Sequence, residues 1–177
     1  MTELHVLYQD DDYVIIDKPS GLLVHRSEID RRETRFALQM LRDQIGQRVY
    51  PVHRLDKPTS GVLIFALHSE AASQMQQALS DRRVAKEYQA IVRGYAPDSG
   101  IIDHPLSDKR EKEEKRRATD IREPQEASSR FERLATVEVP FSTGRFDTSR
   151  YSLVRVNPET GRKHQIRRHL HHISHPI

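Results

Sequence analysis

The stretch "VYPVHRLDKPTSGVLIFALHSEAASQMQQALSD", Val49–Asp81, decides the fold. It reads as a β-type run, a turn built on Pro58, Thr59, Ser60 and Gly61, a second apolar run, and then a helical stripe. "GVLIFAL" is continuously apolar and rich in strand-forming residues, the character of a central strand buried on both faces. Ser69 opens the helix with Glu70 in its first turn. Ala71, Ala72, Met75, Ala78 and Leu79 then share one face, which places Met75 in the core.

The same grammar extends outward. "LHVLYQDDDYVIIDKPSGLLVH", Leu4–His25, predicts a hairpin of strands Leu4 to Tyr8 and Tyr13 to Asp17, ended by a tight turn at Lys18, Pro19, Ser20 and Gly21. Thr34 is expected to cap a helix through about Ile45, because Ala37, Leu38, Leu41 and Ile45 share a face and Gly46 supplies a stop. That helix feeds a strand, Val49 to Leu55. Further on, "VAKEYQAIVRGY" predicts a strand closing at Gly94, "FERLATVEV" and "SRYSLVRVNP" two more, and "TGRKHQIRRHLHHI" a loop running into a short basic helix. Strands this close in sequence pair as hairpins, so the expected class is α+β, a mixed, mainly antiparallel sheet flanked by helices. A doubly wound nucleotide fold is disfavoured, since neither GxGxxG nor a Walker A sequence occurs.

The 177 residues suit one domain with one main core. Only 36% of residues are apolar against 31% charged, so that core is lean. "KREKEEKRR", Lys109–Arg117, opens a segment poor in apolar residues, and 108–129 is expected to be a flexible charged insertion, either a solvated loop or an RNA contact. The net charge is +3, but Gly161–Pro176 holds four Lys or Arg, five His and no acid. That surplus suits a phosphate backbone, although a solvated helix face would look the same. Without cysteine there is no disulfide, thiolate nucleophile or Cys-based zinc site. The N-terminus lacks the pattern of a signal peptide, and Val62–Leu67 is far too short to cross a membrane. The expectation is a soluble, cytoplasmic protein.

Asp56 stands two residues after Arg54, so on an extended segment both side chains lie on one side while Leu55 anchors the other. The following turn puts the carboxylate at a strand end, where it either accepts hydrogen bonds from turn amides or reaches a cleft. Arg162, Arg167 and Arg168 are candidate partners that would keep it ionised; phosphate contact or solvent exposure are the alternatives. Tyr88 shares a strand face with Lys86, Ala90 and Val92, as a core ring or as a stacking platform for a base. His164, His169, His171, His172 and His175 invite a metal reading, opposed by the missing HExxH and by the cationic neighbourhood. No metal is expected.

Three segments taken together go further. "HRLDKPTSG", His53–Gly61, "KEYQAIVRG", Lys86–Gly94, and "TGRKHQIRRHL", Thr160–Leu170, resemble in order and spacing the signature segments of the RluA-type pseudouridine synthases, and "DKPSGLLVH", Asp17–His25, resembles that family's N-terminal segment. Stretches outside these motifs, such as "RLATVEVPFSTGRF", are similar to the branch acting on a uridine in the tRNA T-stem. The resemblance implies the pseudouridine synthase catalytic fold and isomerisation of uridine in RNA, with tRNA as the leading partner and no cofactor. It implies Asp56 as the catalytic aspartate, Tyr88 as the ring against a flipped uracil, Arg167 as partner of the aspartate, and Arg54 as the arginine that helps hold the RNA open. The family's third motif usually continues into a glycine-aspartate turn and further elements, so the chain is expected to be a single catalytic domain lacking its C-terminal part. The alternatives are a ribosomal RNA substrate, a noncatalytic RNA-binding fragment, and a glycoside hydrolase using Asp56, which lacks a clearly placed second carboxylate.

Overall fold

The computed structural model describes residues 3–26, 33–107, 123–144 and 146–177. It is α+β, and its strands form two four-stranded sheets in which every strand pairing is antiparallel. Where chain length led us to expect one main core, the chain divides into two compact units, Met1–Val84 and Ala85–Ile177. Each has its own cluster of buried apolar side chains.

The first unit contains β1 (His5–Gln9), β2 (Tyr13–Lys18), α1 (Ala37–Ile45), β3 (Tyr50–Pro51), β4 (Gly61–Ala66) and α2 (Ser69–Ser80). Its sheet order is β1-β2-β4-β3, so the "GVLIFAL" strand is interior as expected. Burial is uneven along it: Leu63 and Phe65 are fully buried while Val62 is 56% exposed, so the run is not covered on both faces throughout. Met75 packs against the core of Val52, Ala66, Ala71 and Ala72.

One helix start differs from expectation. Helix α1 begins at Ala37, not near Thr34, because Phe36 is held extended in a bridge to Leu23 that seats its ring in the core. The amides of Ala37 and Leu38 donate to the carbonyls of Leu23 and Val24 at 2.8 and 3.0 Å, satisfying first-turn donors without a side-chain cap. Helix α2 starts at Ser69 as expected, and its cap is His68, whose Nδ1 accepts from the Ala71 amide at 3.3 Å. Gly46 closes α1 in a left-handed C-cap at φ 72°, as expected. The strand expected over Val49 to Leu55 is only Tyr50–Pro51, because Pro51 has no N–H with which to extend the ladder.

The second unit contains β5 (Tyr88–Arg93), β6 (Ser99–Asp103), β7 (Ser128–Val139), β8 (Ser149–Pro158) and α3 (Gln165–His172), with sheet order β5-β8-β7-β6. Val92, Ala96, Ile102, Phe131, Val154, Val156 and Leu170 form its core, so α3 lies on the sheet face that carries Val92 and Val154. The strand β6 escaped the sequence reading: it is short, and its Gly100 backs onto Phe131 so closely that a Cβ would meet the ring at 2.8 Å. Of the expected insertion, 108–122 lies outside the described residues. Its remainder is ordered, since Gln125 pairs with Leu106, Ala127 and Ser129 are buried, and Ser128 already belongs to β7. No described helix is long and apolar enough to cross a membrane.

Candidate active site

Two turns of nearly the same sequence frame the candidate site in the first unit: Asp17-Lys18-Pro19-Ser20-Gly21, which starts on the last two residues of β2, and Asp56-Lys57-Pro58-Thr59-Ser60-Gly61, which ends on the first residue of β4. They are hydrogen-bonded to each other. The Gly21 amide donates to the Lys57 carbonyl at 2.8 Å, and Ser20 Oγ donates to the Pro58 carbonyl at 2.8 Å. Gly21 sits at φ 84°, a conformation that side chains resist and that aims its amide across the gap. Within the second turn the Thr59 amide closes onto the Asp56 carbonyl at 3.0 Å.

Lys18 fastens this assembly from inside. It is fully buried, and its ammonium donates to the carbonyls of Pro19 at 2.9 Å, Leu22 at 2.8 Å and Lys57 at 3.3 Å. Burial pulls its pKa below the ordinary lysine value, against an opposing pull from the Asp56 carboxylate. One cation thus serves both turns: it spends its donors on their carbonyls and lends positive potential to Asp56.

The loop from Val52 to Asp56 is irregular, so Asp56 belongs to a loop rather than to the end of a buried strand. Its placement comes from neighbours: Val52 and Leu55 are buried, and His53 Nε2 accepts from the Ile64 amide at 3.1 Å, pinning the loop to β4. A ring nitrogen that accepts an amide proton carries none itself, so this bond selects the tautomer. Arg54 is exposed and Asp56 half-buried, on a loop anchored by Val52, His53 and Leu55. Lys57 adds an ion pair with Glu33 at 2.6 Å.

In the second unit Tyr88 begins β5, paired in register with Val156, and is half-buried on the face that also holds Ala90 and Val92. The exposed Arg167 is carried by α3, which packs on that same face through Leu170 and Ile166. The structure therefore brings Arg54 and Asp56 together on one loop, and Tyr88 and Arg167 to one sheet face.

Gln165 fixes α3 and was missed by sequence reasoning. Its Oε1 accepts from Thr160 Oγ1 at 2.7 Å and the Arg162 amide at 2.9 Å, while its Nε2 donates to the Ser128 carbonyl and Ser129 Oγ, each at 2.9 Å. From there the chain of bonds continues through His169. Nε2 of His169 donates to the His104 carbonyl at 3.1 Å, and its Nδ1 lies 3.0 Å from Ser129 Oγ. Burial lowers the His169 pKa, keeping the ring neutral in this relay. His172 stacks on His104 with centroids 3.8 Å apart, and His175 bonds the Arg93 carbonyl. Three of the five clustered histidines are thus used in packing, and among the described residues no group of three His, Asp or Glu side chains is placed to hold a metal ion.

Comparison with known proteins follows the same motifs. The family model described as RNA pseudouridylate synthase matches residues 12–172. The chain belongs to the RNA pseudouridylate synthase family.

Two curated relatives make the likeness narrower. The tRNA pseudouridine synthase C of Vibrio parahaemolyticus is 51% identical over 175 residues, covering 99% of this chain and 71% of the relative. That of Haemophilus ducreyi is 53% identical over 178 residues, covering 99% and 72%. Among solved structures, human RNA Pseudouridylate Synthase Domain Containing 1 superposes with a TM-score of 0.74 at 25% identity, over 98% of this chain and 66% of that one. Human RNA Pseudouridylate Synthase Domain Containing 4 gives 0.72 at 29% identity, with the same coverage.

Proposed function

We propose that this chain isomerises a uridine in the T-stem of tRNA to pseudouridine, with Asp56 as its catalytic carboxylate. The observation that carries the substrate reading is the half-identity, across nearly the whole chain, to proteins named tRNA pseudouridine synthase C. What supports Asp56 is its turn, whose three carbonyls from Asp56 to Pro58 are all captured by donors. A carboxylate carried on a backbone held this firmly suits a nucleophile or base, which has to meet the reacting atoms in a fixed position.

In this reading the N1–C1′ bond of uridine breaks, the uracil rotates while bound, C5 bonds to C1′, and the C5 proton leaves as N1 gains one. Asp56 attacks the sugar, attacks the base, or removes a sugar proton to give a glycal; each route starts from an ionised, fixed carboxylate. A uridine in a duplex has to leave the stack first. Tyr88 supplies the flat ring for the flipped uracil, Arg54 the exposed cation beside the opened strand, and Arg167 the partner of Asp56. No cofactor enters these steps, and the site of action is the cytoplasm.

The substrate is tested by incubating the purified chain with unmodified tRNA, derivatising pseudouridine with a carbodiimide, and reading primer-extension stops. One stop in the T-stem supports the proposal. A stop elsewhere in tRNA, or in ribosomal RNA alone, overturns the substrate, and no stop in any RNA overturns the activity.

A further inference from the structure

At the end of the second unit's sheet away from Tyr88, a groove of about 480 Å³ is lined by Arg93, Thr143, Phe146, Ser149, Arg150 and Tyr151 among others. Tyr88 and Arg93 are the two ends of β5, about 16 Å apart at roughly 3.3 Å per residue. The groove is therefore not part of the surface around Tyr88.

Its side chains combine three chemistries. Arg93 and Arg150 supply cations, each held in place: Arg93 Nη2 donates to Thr143 Oγ1 at 3.1 Å, and Arg150 donates through Nε to Glu138 Oε2 at 3.2 Å while lying 5.3 Å from the Tyr95 ring centre. The bond to Glu138 uses one edge of a guanidinium that carries roughly five N–H donors. Glu138 is itself engaged by Thr148 and Tyr95, and these bonds lower its pKa, so it acts as a fixed brace for Arg150. The exposed Thr143 adds a hydroxyl, braced from behind at 2.7 Å by the buried Ser149 Oγ, which itself donates to the Phe141 carbonyl at 3.0 Å. The third component is Phe146, 74% exposed at the rim, a large apolar ring kept in water at a hydration cost that core packing does not recover.

Braced guanidiniums, an exposed hydroxyl and an exposed aromatic ring are the complement of a nucleic-acid strand: phosphates meet the arginines, a sugar hydroxyl meets Thr143, and a base covers the ring. A protein partner would use the exposed Val137 and Phe141 beside the groove but would leave the braced guanidiniums without phosphates to meet, and an anionic lipid surface would not need a stacking ring. We infer that this groove is a second RNA-contact surface, which grips a part of the substrate RNA other than the reacting uridine. The inference rests on RNA being the substrate class, and it is independent of Asp56 and of which uridine reacts.

The test is equilibrium binding of an unmodified tRNA transcript to the full chain, by fluorescence anisotropy across a salt series. Phe146→Ala is expected to weaken binding about tenfold, and Phe146→Tyr, which keeps the ring, to restore most of it. Arg93→Gln and Arg150→Gln should each lower the slope of log K against log salt by about one. Because Phe146 is largely exposed, its replacement should leave thermal unfolding unchanged, which separates lost contact from lost folding. Affinity within twofold of wild type in Phe146→Ala, with unchanged salt slopes in the arginine variants, overturns the inference. So does a set of variants that keeps RNA affinity but loses binding to phosphatidylglycerol vesicles. If the chain binds RNA through the groove yet isomerises nothing, the catalytic reading fails and this one stands.

Discussion

Replacing Lys18 with methionine tests how the Asp56 turn is held. The substitution keeps the side-chain length and apolar stem but deletes an ammonium that donates to three carbonyls at 2.9, 2.8 and 3.3 Å, one of them in the turn carrying Asp56. Bonds to charged donors are each worth roughly 1.5–3 kcal/mol. Burying an ammonium costs several kcal/mol, which the methionine recovers. The net loss is about 2 kcal/mol, and the part of it carried by the bond to the Lys57 carbonyl falls on the contact between the two turns. A carboxylate displaced by about 1 Å loses on the order of a hundredfold in rate. Lys18→Met should therefore lower the urea midpoint and cut single-turnover isomerisation 10- to 100-fold, with a smaller change in RNA affinity. Unchanged stability and turnover within twofold would refute the reasoning. Reduced stability with wild-type turnover, measured under conditions where the variant is folded, would show that Lys18 serves folding and does not position Asp56.

Three further outcomes follow from the same contacts. Gly21→Ala forces a Cβ into φ 84° with no neighbour within 4 Å to clash, so urea unfolding should show only the backbone penalty, about 1–2 kcal/mol. Gln165→Leu removes four hydrogen bonds at a buried position and should destabilise the chain by about 2–4 kcal/mol in the same assay. His169 has a folded pKa below its unfolded value, so protonation favours the unfolded state: stability should fall as pH drops through the unfolded value near ~6.5 and level off below the folded one. His169→Gln should remove that limb from a plot of unfolding free energy against pH, and a curve of unchanged shape would contradict the relay drawn through Ser129.

Legibility from sequence tracked how local each determinant is. The first hairpin, the interior strand Gly61–Ala66, helix α2 and the pair β7 and β8 all announce themselves by the apolar pattern within their own residues, even where the ladder partner is distant in sequence, as Tyr13 is from Ala66. Helix α1 did not start at Thr34 because its first amides bond to Leu23 and Val24, more than ten residues away, which no capping rule sees. The strand through His53 failed because Pro51 ends the ladder, and with it went the argument that Arg54 and Asp56 share one side of a strand. Among the candidate site residues, motif resemblance supplied Asp56, Arg54, Tyr88 and Arg167, but not Lys18, which holds the turn of Asp56, or Gln165, which holds the helix of Arg167. Lys18 had a visible signal in the near-duplication of "DKPSG" and "DKPTSG"; composition rules treat a lysine in a turn as solvated, and only the fold shows it fully buried. Gln165 had no comparable signal, since one glutamine in a basic helix looks like any surface residue.

The claim that Asp56 is the catalytic carboxylate is tested most directly by tritium release from tRNA labelled at uridine C5, comparing the wild-type chain with Asp56→Asn. The substitution keeps the size of the side chain and removes its charge, so the variant should still fold and bind tRNA. Label released by wild type and reduced to background in Asp56→Asn is the predicted result; equal release from both would contradict it.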